Sequence, residues 1–450
     1  MKKLTTWMLA LLMSVVTLGM MVSCNNGDDD DDDLGPAPVP GQVTEVSGNI
    51  TTNTTWSASN QYLLKGFVYV QPGVTLTIQP GTVIKGDQAS RGSLFILPGA
   101  KIMADGTKEK PIVFTSNQAA GSRRAGDWGG LVILGKAPAN KKDFKIEGEE
   151  VSVVPGGATG DAADNSGVLR YVRIEFGGIA FQTDKEINGL TLAGVGTGTV
   201  IDYVQVSYSG DDAIEWFGGT VNAKHLVAYR TLDDDFDTDY GFAGTVQYGL
   251  ILRDPAVADQ CTCSDSNGFE SDNDGTGSQD APQTSAKFAN ISMFMAPGTV
   301  NSKYRSAFRI RRNSAISVFN SVVSGAYTKG GLELEGADAQ SNFVNGKSDY
   351  RGLTIVNAKS VVTGDTTRLK AAERKNTLGA AEADLKLAAN FNSLTGRPGV
   401  LPQTGSPLLT GGSTLPTGLE ANTVIGAFGT TDWTETWTNF DPQNTDYTLK

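Results

Sequence analysis

The chain has 450 residues and a formal net charge of -12, from 37 Lys and Arg against 49 Asp and Glu. A surface this acidic disfavours nucleic acid as a partner, because like charges repel, and it favours cations. One histidine, His225, and three cysteines argue against a Ser-His-Asp triad, a Cys-His pair or a zinc enzyme.

Residues 1–23 are predicted to be a signal peptide, with a basic start followed by an apolar run at residues 7–22. The run is too short and wrongly flanked for a membrane span. Residues 21–24, Met-Val-Ser-Cys, resemble the lipobox of bacterial lipoproteins, so Cys24 is the predicted lipidation site. Acyl chains such as palmitate on Cys24 would anchor the protein to a membrane. An ordinary secreted protein is the alternative.

Residues 24–45 are predicted to be an acidic and Pro-rich tether. Six consecutive aspartates at residues 28–33 repel one another and stay extended, and the prolines that follow form a semi-stiff spacer. The acidic stretch resembles the surface-export signal of Bacteroidetes lipoproteins, which implies an outer-membrane protein exposed at the cell surface. The alternative is a solvated stalk that carries no export signal.

Residues 46–430 are predicted to form an all-β solenoid. Short β-branched and aromatic runs alternate with Gly, Asn and Asp, and similar positions recur one coil apart. Tyr203 and His225 are 22 residues apart, and His225 and Tyr248 are 23 apart. A repeat of this size with strand and turn composition indicates stacked coils that share one core.

The Pro-Gly corners at Pro80 and Pro98, the coil length, residues 210–215 and residues 405–408 together resemble right-handed parallel β-helix proteins of the pectin lyase-like kind. The resemblance covers residues 50–430 and implies a right-handed parallel β-helix. The whole chain is also similar to an uncharacterised group of Bacteroidetes β-helix lipoproteins, which implies no particular activity.

Three further segments carry predictions. Residues 366–387 are rich in Ala, Leu, Lys and Glu and predict a short helical segment. The tail at residues 431–450 carries Trp433 and Trp437 and is predicted to cap the last coil, with a sugar-stacking platform as the alternative. Cys261 and Cys263 are predicted to be a local loop feature, since a disulfide ring this small would be strained.

Clustered carboxylates between residues 209 and 280 form the candidate metal site. Asp212 and Asp234 are 22 residues apart, so they are expected to stack on successive coils. Alternate aspartates from Asp233 to Asp239 would share one face of a strand. So many like charges raise pKa values or require a cation, and calcium suits oxygen ligands, whereas solvated Asp turns are the alternative. The candidate ligands are Asp211, Asp212, Asp233, Asp234, Asp235, Asp237, Asp239, Glu270, Asp272 and Asp274.

The preferred function is a surface-anchored lipoprotein with a calcium-stabilised β-helix in a glycan-binding or structural role. The alternative is a calcium-dependent polysaccharide lyase that acts on uronate-containing polysaccharide, with Arg309 or Arg311 as the candidate catalytic base. A glycoside hydrolase would use Asp211 and Asp212 among its carboxylates. The resemblance to β-helix pectinases implies a Gly-His-Gly motif for that activity, and this sequence, whose one histidine is His225, has none.

Overall fold

The computed structural model describes residues 41–142, 144, 146, 157–182, 185–260, 264–358, 361–362 and 365–449. The predicted signal peptide, Cys24 and most of the predicted tether lie outside these residues, as do Cys261 and Cys263. In the part of the chain that is described, no helix is both long and apolar enough to cross a membrane.

Short strands run through the chain from Val43 to Ala380, so the first strand includes three residues assigned to the tether from sequence. The strands of the first half are β1 (Val43–Ile50), β2 (Thr54–Trp56), β3 (Gln61–Val70), β4 (Thr75–Ile78), β5 (Val83–Gly86), β6 (Ser93–Ile96), β7 (Lys101–Asp105), β8 (Ile112–Ser116), β9 (Leu131–Leu134), β10 (Gly167–Glu175), β11 (Ala180–Gln182), β12 (Lys185–Glu186), β13 (Leu190–Ala193) and β14 (Val200–Ser207).

The second half continues in the same way and adds two short α-helices. Its elements are β15 (Ile214–Phe217), β16 (Ala223–Tyr229), β17 (Phe236–Asp239), β18 (Thr245–Arg253), β19 (Phe269–Ser271), β20 (Lys287–Met295), β21 (Ser306–Ile310), β22 (Ser317–Phe319), β23 (Val322–Ser324), β24 (Gly330–Leu334), α1 (Gly336–Val344), β25 (Tyr350–Arg351), β26 (Thr354–Val356), β27 (Val361–Val362), α2 (Thr366–Leu369) and β28 (Thr377–Ala380). Single 3₁₀ turns occupy Gly157–Thr159, Ala372–Arg374, Glu382–Leu385 and Pro407–Leu409.

Apart from the antiparallel pair β11 and β12, the strands pair in parallel with the equivalent strand one coil away and form three rows. The first row contains β2, β4, β7, the first parts of β10, β14, β16, β18 and β20, and then β22 and β25. The second row begins with β1, β3, β5 and β8, takes the second parts of the same long strands, and ends with β23, β26 and β28. The third row contains the ends of β1 and β3, then β6, β9, β13, β15, β17, β19, β21, β24 and β27. The predicted parallel β-helix is therefore confirmed.

The rows enclose one continuous apolar core. On the third row, Ile214, Phe236, Phe269 and Phe308 occupy the same register position on successive coils, and each is fully buried. The ring centroid of Phe269 lies 5.2 Å from that of Phe236 and 4.8 Å from that of Phe308. Because side chains alternate between the two faces of a strand, the residues that follow these must point outward.

A column of aromatic residues marks the corner between the first and second rows. Tyr171, Tyr203, His225 and Tyr248 all have positive φ angles, between 49° and 66°, which turn the chain at the same place on each coil. Their rings stack at centroid distances of 4.5, 4.2 and 5.1 Å. His225 is therefore a packed residue, and its Nδ1 lies 2.7 Å from an Asp202 carboxylate oxygen.

Residues 381–449, here called the lateral tail, run along the outside of the solenoid. Trp437 is fully buried, and its ring packs edge-on against Tyr171 and Tyr203 at 6.0 and 5.9 Å. Farther along, the Tyr447 hydroxyl donates to Glu175 Oε1 at 2.7 Å. This differs from the predicted end cap, because the tail covers the outward apolar side chains of several coils instead of the last coil. Burial also removes Trp437 as an exposed sugar-stacking platform.

The helical segment predicted at residues 366–387 is wrong as a single element. The structure has the four-residue helix α2, a 3₁₀ turn, strand β28 and a second 3₁₀ turn over that range. Lys375 and Lys386 end the two turns in the left-handed conformation, which stops helix propagation. Packing of β28 onto β26 outweighs the helix-forming composition.

Candidate functional site: an acidic cleft on the third row

A ladder of charged side chains follows the outer face of the third row. Glu215, Asp237, Glu270 and Arg309 are paired in register on β15, β17, β19 and β21. Each directly follows one of the four buried apolar residues of this row, Ile214, Phe236, Phe269 and Phe308, and therefore points away from the core. Neighbouring strands lie about 4.8 Å apart, so three carboxylates stack at that spacing.

The turns that lead into these strands add four more aspartates. Asp211 and Asp212 precede β15, and Asp233 and Asp234 occupy the same places one coil later. The Asp234 backbone N–H donates to Asp212 Oδ1 at 2.8 Å, and the Asn267 N–H donates to Asp234 Oδ1. Each turn is thus attached to a carboxylate of the coil before it.

These residues line a cleft of about 370 Å³. Eleven carboxylates face it against two guanidinium groups, those of Arg311 and Arg312. The carboxylates are those of Glu186, Asp211, Asp212, Glu215, Asp233, Asp234, Asp237, Asp239, Asp259, Glu270 and Asp272. We call this region the acidic cleft.

Burial and mutual repulsion raise the pKa of the carboxyl groups in the acidic cleft. Burial, followed by the charge of Asp211, raises the pKa values of Asp212 and Asp233 well above the ordinary range. Burial and then Glu215 do the same to the pKa of Asp237. Asp234, Asp239 and Glu270 are shifted in the same direction, again with burial as the main cause. Protons or a cation must therefore compensate part of this charge near neutral pH.

The oxygen atoms fit a hard divalent cation. Three sets of carboxylates each bring one oxygen per residue within 4.8 Å of the others: Asp211, Asp212 and Asp233; Asp212, Glu215 and Asp237; and Asp234, Asp237 and Glu270. Calcium–oxygen distances of about 2.3–2.6 Å allow ligands of one ion to lie up to about 5 Å apart. Buried Asp233 Oδ1 and Asp237 Oδ1 also have no hydrogen-bond partner among the described residues.

Three arginines form ion pairs with carboxylates of the cleft, and two of them, Arg311 and Arg312, also line it. Arg309 Nη1 lies 2.8 Å from Glu270 Oε1, and Arg311 Nε lies 2.8 Å from Asp272 Oδ1. Arg312 Nη1 lies 2.7 Å from the other Asp272 oxygen. Although burial acts to lower it, Glu270 and Asp272 raise the pKa of Arg311 above its ordinary value. Arg311 therefore holds its proton more tightly than a free arginine.

Two predicted ligands lie apart from the cleft. Asp235 is fully buried and forms an ion pair with Arg253 at 2.9 Å, because β17 begins only at Phe236 and the predicted strand alternation does not extend back through the turn. Asp274 lies in the next loop, where it accepts hydrogen bonds from Thr276 and Ser278. Although burial acts to raise it, these bonds lower the pKa of Asp274.

Arg253 supports the acidic turns from inside and was not anticipated from sequence. Its guanidinium donates to the backbone oxygens of Thr231, Asp233 and Asn267, with Nη1 2.7 Å from the Asp233 oxygen. The group is fully buried, and its Cζ lies 4.9 Å from the Tyr304 ring centroid. Arg253 therefore fixes the backbone that carries Asp233 and Asp234.

Sequence reasoning also missed three carboxylates of the cleft, those of Glu186, Glu215 and Asp259. Glu215 lies 22 residues before Asp237, the same coil repeat that identified Asp212 and Asp234, so the signal was present. Asp259 belongs to the long insertion between β18 and β19, which has no repeat partner. Only the fold brings that residue to the cleft.

Comparison with known proteins places this architecture in a family. Pectate lyase Pel9A is a similar solved structure, with 12% sequence identity and a TM-score of 0.35, covering 86% of this chain and 96% of that chain. No curated protein matches the sequence. The family model described as a pectate-lyase like beta helix domain matches residues 48–397, which is most of the chain. The chain therefore belongs to the pectate-lyase like beta helix family.

Proposed function

We propose that this protein is a surface-anchored β-helix protein that binds calcium in the acidic cleft and binds glycans along the same face. The observation that carries the proposal is the excess of carboxylates in the cleft, eleven against two guanidinium groups. The proposal is also supported by the buried carboxylate oxygens Asp233 Oδ1 and Asp237 Oδ1, which have no hydrogen-bond partner among the described residues. Family membership supports a glycan-related role.

Calcium in the cleft would be held by the three sets of carboxylates described above, which together contain Asp211, Asp212, Glu215, Asp233, Asp234, Asp237 and Glu270. A bound cation would neutralise the repulsion between these groups, and its free coordination positions would supply Lewis-acid attraction for sugar oxygens. The ladder of side chains along the third row would orient a glycan chain across the coils.

The lyase alternative finds less support in the geometry. A β-eliminating enzyme requires a basic group close to the substrate, and the arginines at the cleft are the candidates from sequence. Arg309 and Arg311 are both committed to ion pairs, and the carboxylates hold the pKa of Arg311 above its ordinary value. Stable ion pairs of this kind suit a structural and binding role better than proton abstraction.

We expect calcium to bind chelator-treated protein in isothermal titration calorimetry and to raise its melting temperature. The stabilisation should follow RT ln(1 + [Ca²⁺]/Kd), which is about 2.7 kcal/mol at one hundred times Kd. Asp237→Asn should remove most of the response, since Asp237 belongs to two of the three oxygen sets. Migration through gels that contain polygalacturonate should be retarded with calcium and normal with chelator.

Asp105→Asn is the matched control, because Asp105 forms an exposed ion pair with Arg170 on the first row. It should leave the calcium response unchanged. A protein that gives neither heat nor a thermal shift with calcium would show that the cleft is only a group of solvated acidic turns. Calcium-dependent growth of ultraviolet absorbance on polygalacturonate, lost in Arg311→Lys, would instead establish the lyase.

The anchor is a separate proposal with its own test. Cys24→Ala is expected to abolish palmitate labelling and to release the protein from the membrane fraction, because the acyl chains supply the binding energy at about 0.8 kcal/mol per buried methylene. Cell fractionation and metabolic labelling measure this. Unchanged membrane retention in the variant would rule out anchoring through Cys24.

A further inference from the structure

A second cleft, of about 720 Å³, lies between the lateral tail and the solenoid. The corner after the second row forms one wall, which includes Tyr208, Arg230 and Leu232. The lateral tail forms the opposite wall with residues 394–396, 440–441 and 443–444. Arg123 and Arg124 lie at one side. We call this region the tail cleft.

The tail cleft is basic, although the chain as a whole carries a net charge of -12. Its lining has three guanidinium groups, from Arg123, Arg124 and Arg230, and one carboxylate, from Asp441. Asp254 also pairs with Arg230 from outside the lining. The remaining excess of positive charge gives this part of an acidic surface the opposite sign.

The guanidinium of Arg230 is held in place before any ligand arrives. Its Cζ lies 5.2 Å from the Tyr208 ring centroid, and the Tyr208 ring stacks on Phe176 at 5.2 Å. Asp254 fixes its Nη2 atom, so the part of the guanidinium that lines the cleft is presented in a fixed position. A rigid guanidinium fork binds an oxyanion at a small cost in side-chain entropy.

Arg124 supplies a second donor that is free to move. Its side chain is exposed, and its guanidinium contacts no carboxylate or carbonyl among the described residues. Arg123, by comparison, already donates to the backbone oxygens of Pro442 and Thr445. The Gln443 amide adds a neutral donor and acceptor of the kind that hydrogen-bonds sugar hydroxyls.

The two clefts lie on either side of one corner of the same coil. Arg230 and Leu232 line the tail cleft, and Asp233 and Asp234 line the acidic cleft. Val257 and Asp259 repeat this division in the insertion before β19. The sign of the charge therefore reverses within a few residues.

From this arrangement we infer that the tail cleft binds the anionic group of an acidic saccharide, with Arg124 and Arg230 as the oxyanion ligands and without calcium. The class of ligand rests on the proposed glycan-binding function, but the site does not depend on the cation. The acidic cleft repels such a group unless a cation is bound, whereas the tail cleft attracts it directly.

Titration calorimetry of the full chain in chelator tests this inference with a galacturonate trisaccharide as the probe. We expect binding that weakens with added salt and that falls about tenfold or more in Arg124→Ala, because a charge-assisted hydrogen bond is lost. The methyl-esterified trisaccharide should bind at least tenfold more weakly for the same reason. Arg170→Ala, which removes an exposed arginine of the first row, is the control and should bind like the natural chain.

Three results would overturn the inference: no binding in chelator, equal binding of the ester, or an Arg124→Ala variant that binds normally. The inference would also be overturned if inorganic sulfate bound as tightly as the trisaccharide, since the site would then recognise an anion and not a saccharide. Asp237→Asn separates this site from the proposed calcium site. This variant should lose calcium binding and keep trisaccharide binding in chelator. Loss of trisaccharide binding in Asp237→Asn would place the anion in the acidic cleft and would overturn the inference. A natural chain that binds the trisaccharide in chelator but binds no calcium would remove the proposed cation, and the inference would stand.

Discussion

Replacement of Arg253 by methionine is expected to lower the free energy of unfolding by about 3–5 kcal/mol, the usual cost of removing one partner from a buried ion pair. The substitution leaves the fully buried Asp235 carboxylate without its counter-charge. It also removes the hydrogen-bond donors of the backbone oxygens of Asp233 and Asn267, which lie in two turns beside the acidic cleft. Chemical denaturation measures the loss, and calcium affinity should fall with it because these turns carry the proposed ligands.

Arg170→Met is the matched comparison, because Arg170 pairs with Asp105 at an exposed position where such a pair contributes about 0–1 kcal/mol. The double variant Arg253→Met with Asp235→Leu should recover part of the stability, since no charge is then left buried. Equal losses for Arg253→Met and Arg170→Met would contradict the assigned role of Arg253.

In calcium-free buffer, stability is expected to decrease as pH rises from about 4 toward neutrality. The folded-state pKa values of Asp212, Asp233, Asp234 and Asp237 are raised above their unfolded values. The native state therefore binds more protons than the unfolded state in this window, and the free energy of unfolding falls as those protons leave. Each unit by which a native pKa exceeds the unfolded value costs about 1.4 kcal/mol per carboxylate.

Saturating calcium should make the free energy of unfolding depend less on pH, because the cation stabilises the carboxylates that become ionised as the pH rises. Asp237→Asn should make the slope shallower without calcium, since one repelling charge is gone. Urea denaturation at a series of pH values, with and without chelator, measures both effects. A calcium-free protein whose stability stays constant or increases over this range would contradict the raised pKa values.

The repeat explains why the fold could be predicted from sequence. Tyr203, His225 and Tyr248 occupy the same corner of successive coils, and their spacing alone gave the length of a coil. The same repeat placed Asp212 above Asp234. Local periodicity suffices for such features because each coil contacts its immediate neighbours.

Features that depend on distant parts of the chain could not be obtained in this way. Asp235 faces Arg253 in the interior because the strand starts after the turn, which the run of aspartates does not reveal. The path of the lateral tail depends on apolar side chains of many coils, and its own sequence does not say which surface it covers. The same holds for Asp259, which reaches the acidic cleft from an insertion.

The lateral tail changes how the solenoid responds to local opening. A simple stack of coils is held by nearest-neighbour contacts, so its ends can fray independently of its middle. Here the Tyr447 backbone oxygen accepts a hydrogen bond from Gln61, 386 residues earlier, and Asn439 and Asn422 bind Gln205 and Asn290 on coils in between. One chain segment thus joins early, middle and late coils. Loss of any end coil must disturb contacts shared with the others, which makes the molecule a single cooperative unit instead of a series of separable repeats.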